Sequence, residues 1–135
     1  MGCTTKTLHT ARLFAALADP TRLRLLNLMN GREVCVCYFV EILKQSQPKI
    51  SRHLAYLRRA GIVCARREGK WMHYRIERPA DGGAAAVLDA ALVSFGDDYA
   101  MQSDLARLGK ACCEPHGLVA LKGAPVPSRN YAHRN

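Results

Sequence analysis

The chain has 135 residues and a formal net charge of +9, a length that suits one domain with a real core and leaves something to gain from dimerisation. No apolar run reaches the length of a bilayer-spanning helix, and the opening Met-Gly-Cys-Thr-Thr-Lys lacks a secretory apolar region, so no membrane role is expected and the cytoplasm is the expected location. Six cysteines in that compartment read as thiols or metal ligands rather than as a disulfide framework.

Taken in chain order, residues 5 to 17 predict a first helix with Leu8, Ala11, Leu13, Phe14 and Ala15 spread over a broad apolar surface. Asp19 is a good N-cap and Pro20 a good first helical residue, so a second helix is expected from 20 to about 30. Its Leu23, Leu25, Leu26, Leu28 and Met29 lie nearly all round, which places it in the core. Residues 33 to 44 are ambiguous. Val34, Val36, Tyr38, Val40 and Ile42 alternate as in a strand, whereas Val36, Phe39, Val40 and Leu43 fit a helix. A helix, irregular in its first turn, is the reading that leads through Gln45 and Ser46 into the next element.

That next element organises the chain. Ser46 can cap a helix whose first turn carries Pro48, and Gly61 supplies the stop. Ile50, Leu54 and Leu57 form one apolar stripe, and Arg52, Ala55 and Arg59 lie opposite, flanked by Lys49 and Ser51. Small and hydrogen-bonding residues among the basic ones suit close approach to a groove better than mere solvation. The two helices in tandem read as a helix-turn-helix. Gln47, Lys49, Ser51 and Arg52 are the candidate base readers.

Two β-prone runs, 62 to 67 and 71 to 76, flank Glu68-Gly69-Lys70 and predict a basic hairpin, with Arg67 and Lys70 as candidate phosphate contacts. A helix-turn-helix followed by such a hairpin is a winged helix. The expected fold class is therefore mainly α with a small β-hairpin. From 44 to 78 there are ten Lys or Arg against Glu68 and Glu77; from 84 to 104 there are four Asp and no base. A basic middle beside an acidic helix suggests a polyanion-binding face and a separate partner-binding element. Residues 84 to 108 predict one long helix, interrupted in pattern by Gly96, with Leu88, Leu92, Phe95 and Tyr99 offered to a partner. Residues 1 to 109 then make the DNA-binding and dimerisation domain. Residues 110 to 135, with Cys112-Cys113 and then Gly123, Pro125, Pro127 and Ser128, read as a cysteine pair and a tail without fixed structure.

Cys35-Val36-Cys37 ahead of Gln-Ser-Gln-Pro-Lys-Ile-Ser-Arg-His-Leu-Ala-Tyr-Leu-Arg, then Gly69-Lys-Trp-Met-His-Tyr-Arg, closely resembles the arsenic-responsive repressors of the ArsR/SmtB family. Ala18-Asp-Pro-Thr-Arg-Leu is similar to that family's second-helix opening, and the likeness spans roughly residues 11 to 110. The resemblance implies a homodimeric winged-helix repressor, paired through its first and last helices, that leaves double-stranded operator DNA when a thiophilic ion binds. It departs at Val40, where the family often has a third cysteine.

Cys35, Cys37, Cys112 and Cys113 are the candidate metal ligands. In a regular helix Cys35 and Cys37 would point about 200° apart, so one ion reaches both only if the helix start unwinds. Soft thiolates without a Cys/His quartet fit trivalent arsenic or antimony (arsenite, antimonite or methylarsenite) better than a closed zinc site. The alternatives are a cadmium, lead or zinc sensor, and a repressor that senses oxidants or persulfide through its thiols. Cys64 reads as structural and Cys3 is unassigned. The five histidines are scattered, and His53 and His73 read as polar contacts or core edges. No phosphate loop, paired carboxylates or His-Glu-x-x-His pattern supports an enzyme.

Overall fold

The computed structural model describes residues 5–113 and 123–129; Cys3 and the remainder of the tail lie outside the described residues. Helix α1 (Thr5–Leu17) leads to α2 (Pro20–Met29), whose first turn is capped as expected: Asp19 accepts a hydrogen bond from the Arg22 amide at 3.0 Å. Leu25, Leu26, Leu28 and Met29 are wholly buried, which makes α2 the core helix.

The ambiguous stretch resolves into both of its readings. Arg32–Cys35 is a strand, β1, and Val36–Leu43 is a helix, α3. The alternating half pairs because a partner is available: Val34 stands opposite Tyr74 and Cys35 opposite His73 in the hairpin. A single helix from 33 is thus corrected by a non-local pairing that periodicity cannot reveal. Helix α3 ends at Lys44, a non-glycine residue in the left-handed region (φ 57°) whose amide returns to the Val40 carbonyl at 3.0 Å.

Helix α4 (Gln47–Arg59) follows after two residues, with the Ser46 hydroxyl accepting from the Lys49 amide at 3.4 Å and Pro48 in the first turn. Ile50, Leu54 and Leu57 are fully buried, each contributing about 1.5–3 kcal/mol by the usual scale. Gly61 at φ 81° turns the chain out of α4. Strands β2 (Val63–Glu68) and β3 (Trp71–Ile76) pair antiparallel from Val63↔Ile76 to Glu68↔Trp71. A short β4 (Ser128–Arg129) lies against β1, so the sheet runs β2-β3-β1-β4. This places two residues of the expected structureless tail on the sheet.

The expected long helix is broken. Helix α5 (Gly82–Ser94) passes into a 3₁₀ turn, Phe95–Asp97, and α6 (Tyr99–Cys113) starts afresh with the Asp98 carboxylate accepting from the Met101 amide at 3.2 Å. Gly96 weakens the helix and Asp98 offers a competing cap. The break carries Phe95 inward: it and Leu88 are buried in the protomer, so these two are not offered to a partner as the periodicity suggested. Helix α6 is fastened to α2. Asp104, 1% exposed, accepts two hydrogen bonds from Arg24 at 2.7 and 2.9 Å and one from Arg107 at 2.6 Å. Beside it the buried Asn27 amide donates to the Met101 carbonyl at 2.9 Å.

Candidate nucleic-acid interface and thiol site

With its apolar stripe committed to the core, α4 presents the rest of its surface outward. Gln47, Lys49 and Arg52 are exposed and Ser51 is half-buried. No acidic residue lies between Ser46 and Arg67, so nothing on this surface repels a phosphate. The orientation of α4 is set by a cluster that the sequence reading did not single out. Arg22 of α2 donates to the Ala16 and Ala15 carbonyls at 2.9 and 3.0 Å, lies 3.3 Å from His53 Nδ1, and stacks 4.1 Å from the Tyr56 ring centroid. Gln45 donates to the Thr21 hydroxyl at 3.0 Å. Arg22 stands in the Ala18-Asp-Pro-Thr-Arg-Leu segment, but nothing in that spacing shows that it reaches His53 and Tyr56 of α4.

The wing adds Arg67 and Lys70, both exposed. Arg67 donates to the Gly69 carbonyl at 3.1 Å, and the Lys70 ammonium lies 5.1 Å from the Trp71 ring centroid. Gly69, at φ 60°, makes the turn between them. Behind the wing, Glu33 of β1 is 1% exposed and accepts from Arg66 at 2.7 Å, with Arg75 at 3.9 Å. His73, also buried, sits 2.9 Å from Glu68. The wing is therefore tied to β1 through side chains as well as through the strand ladder.

Strand β1 ends in the thiol site. Cys35 is extended (φ −72°, ψ 143°) and Cys37 lies in the first turn of α3, so the two side chains do not obey helical rotation. The Cys37 thiol donates to Cys35 Sγ at 3.3 Å. The opposition of about 200° expected from a helix is therefore absent, and no unwinding is needed to bring the sulfurs together. That hydrogen bond from Cys37 holds the Cys35 thiol below the ordinary range, with His73 adding to the effect. Being the donor to Cys35, and desolvated, pushes the Cys37 thiol up. The pairing thus eases one sulfur towards the thiolate and holds the other as the thiol.

Cys112 of α6 lies half-buried on a helix that packs against α3, and its charge helps to raise the Tyr38 phenol. Cys113 is in the same last turn, and its side chain lies outside the described residues. Among the described residues no three His, Cys, Asp or Glu side chains come together as a ready metal site. Cys64, half-buried in β2, has its thiol pushed up to about 11 by burial and by Glu77, which suits a structural cysteine.

Residues 19–64 match the family described as bacterial regulatory protein, arsR family. The chain is 48% identical over 81 residues to the arsenical resistance operon repressor of Escherichia coli K12, covering 59% of this chain and 69% of that one. To the arsenic resistance transcriptional regulator ArsR1 of Pseudomonas putida KT2440 it is 52% identical over 109 residues, covering 80% and 84%. The chain belongs to the ArsR family. The solved HlyU from Vibrio cholerae N16961 superposes with a TM-score of 0.57 at 26% identity, over 69% of this chain and 98% of that one. As an ArsR-family protein the chain is a DNA-binding transcriptional repressor of winged helix-turn-helix fold, not an enzyme. No helix among the described residues is long and apolar enough to cross a membrane.

Proposed function

We propose that this ArsR-family repressor binds its operator as a homodimer and is released when a trivalent metalloid, arsenite, antimonite or methylarsenite, is chelated by Cys35 and Cys37. The observation that carries the reading is the 3.3 Å approach of the two sulfurs at the junction of β1 and α3. From that junction one direction leads along β1 into the wing and the other along α3 into α4. A ligand that gathers both sulfurs thus acts on both DNA-contacting elements at once. Release needs a coupling free energy of only about 1–3 kcal/mol. By linkage, operator DNA weakens inducer binding by the same factor.

Pairing of two copies is supported by the apolar groups that the protomer leaves outside. Leu8 and Phe14 of α1, Val93 of α5 and Tyr99 of α6 are between 47% and 85% exposed. They lie on the first helix and around the α5–α6 turn, where a second copy would cover them. A two-fold dimer that reads half-sites one helical turn apart needs its two α4 helices about 34–36 Å apart. A monomer in sedimentation at micromolar concentration would overturn this part.

A second reading gives the sensing role to Cys112 and Cys113. It is favoured by the placement of Cys112, half-buried in the last turn of α6, a helix that packs against α3. The deciding experiment is operator release under reducing conditions against arsenite, methylarsenite, antimonite, cadmium, zinc and persulfide. It is run on the wild type and on two double variants. Cys35→Ser/Cys37→Ser should bind operator and ignore the inducer. If that variant responds normally and Cys112→Ser/Cys113→Ser is deaf, the α6 pair is the sensor. A response to cadmium or persulfide alone would replace the metalloid with a divalent ion or an oxidant.

A further inference from the structure

Tyr38 follows the thiol pair directly and is fully buried in α3. Its hydroxyl is the only buried side-chain oxygen or nitrogen among the described residues without a hydrogen-bond partner. Burying a phenol in this way costs stability, and a phenylalanine would pack the same space without that cost. Neighbouring Phe39, Ile42 and Leu43 are apolar and buried as well, so the fold itself does not call for an oxygen here. Burial pushes the Tyr38 phenol up to about 12, and Cys112, Cys37 and Cys35 each push in the same direction. The hydroxyl is therefore a buried donor with nothing to donate to, on the residue that follows Cys37 in α3.

Trivalent arsenic takes three ligands, and the thiol pair fills two. Arsenite arrives as As(OH)3. As two As–S bonds form, two As–O bonds break, and each thiol proton leaves with one hydroxyl as water. Arsenic stays trivalent throughout and keeps one oxygen. Methylarsenite, CH3As(OH)2, loses both hydroxyls in the same exchange and keeps its methyl group. The third position is therefore an oxygen for the inorganic inducer and a carbon for the methylated one.

We propose that Tyr38 is a specificity-determining residue of the inducer site, whose buried hydroxyl donates to the oxygen that arsenite keeps and so selects inorganic arsenite over methylarsenite. The inference rests on the reading above that Cys35 and Cys37 hold the inducer. With arsenite bound, the orphaned donor gains its partner; with methylarsenite, it stays unpaired against a methyl group. The discrimination comes from a site built to hydrogen-bond one ligand and left unsatisfied by the other.

The test compares the wild type with Tyr38→Phe, using affinities for arsenite and methylarsenite from the thiol-to-arsenic absorption band. X-ray absorption on the wild type counts the atoms bound to arsenic. We expect two sulfurs and one oxygen with arsenite. In Tyr38→Phe, arsenite affinity should fall about tenfold while methylarsenite binding is unchanged or tighter. Without inducer the variant should melt higher than the wild type and bind operator equally well. Three sulfurs around arsenite in the wild type, or an unchanged ratio of the two affinities in a folded variant, would overturn the role of Tyr38. Loss of arsenite binding on Cys35→Ser/Cys37→Ser separates that failure from a failure of the two-thiol reading, which would show as undiminished binding by that variant.

Discussion

Cys35 stands directly opposite His73 in the antiparallel register between β1 and β3. A candidate inducer ligand and the inner strand of the wing therefore share one backbone ladder. Glu33, two residues earlier and on the same face by strand alternation, accepts from Arg66 and faces Arg75. Displacement of β1 is passed to the wing by hydrogen bonds and by ion pairs together.

Glu33→Gln tests that tie. It leaves two arginines facing an uncharged buried amide, and we expect a loss of about 1–3 kcal/mol in urea unfolding, since removing a charged hydrogen-bond partner exposes the desolvation cost of the other. Operator affinity should fall with it, while the salt dependence stays the same because no phosphate contact is removed. An unchanged unfolding midpoint would show that the wing stands without Glu33.

Arg52 and Lys70 should fail in different ways. Arg52→Ala is expected to cost about 1–3 kcal/mol of operator binding if its guanidinium reads a base edge, and to relax preference at that base. Lys70→Ala should weaken all sequences alike and lower the slope of log affinity against log salt by about 0.9. Affinity titrations at several salt concentrations, on operator and on random DNA, check both.

His53 gives a pH dependence. Burial lowers the pKa of its imidazole, an effect to which Arg22, Arg52 and Lys49 add and which Asp19 opposes. The unfolded chain takes up this proton near the ordinary value of 6.5, while the folded protein takes it up only at lower pH. Stability from this residue is therefore complete above pH 6.5, and it is lost as the pH falls through the folded value. Urea unfolding between pH 7.5 and 5 should show the decline, and His53→Gln should flatten it.

Asp104→Asn should loosen α6 from α2. Removing the charge leaves Arg24 and Arg107 facing a buried amide, with an expected cost of about 2–4 kcal/mol. Hydrogen exchange should rise in α6 and leave β2 and β3 unchanged. Equal protection in α6 would place its anchorage in Asn27 and the apolar contacts instead.

Much of this architecture was legible because it is local. Asp19 and Ser46 are N-caps, Gly61 is the stop of α4, and the stripe Ile50–Leu54–Leu57 is buried as its spacing requires. What was not legible depends on partners distant in sequence. Residues 33 to 35 became strand because Tyr74 and His73 were there to pair with them. The long helix broke because Phe95 could bury and Asp98 could cap. The approach of Cys35 and Cys37 followed from the first of these, since a strand end and a helix start point their side chains by different rules. Tyr38 carried a signal that went unread: one hydroxyl in the apolar run Val36 to Val40.

The turn at Phe95–Asp98 closes its hydrogen bonds on itself, the Gln102 amide side chain donating to the Phe95 carbonyl at 3.1 Å and the Asp98 amide returning to the same oxygen at 3.1 Å. Downstream, the fastening to α2 is complete by Arg107. Residues 109 to 113 lie beyond that fastening and pack on the core through Ala111 and, in part, Cys112. At the positions around Ala111 the chemistry can be exchanged, for other thiols, imidazoles or none, without touching the ion pairs that bind α6 to α2. Such a segment is where a lineage of repressors, or an engineer building a biosensor, can retune the response while the DNA-reading half is left as it stands.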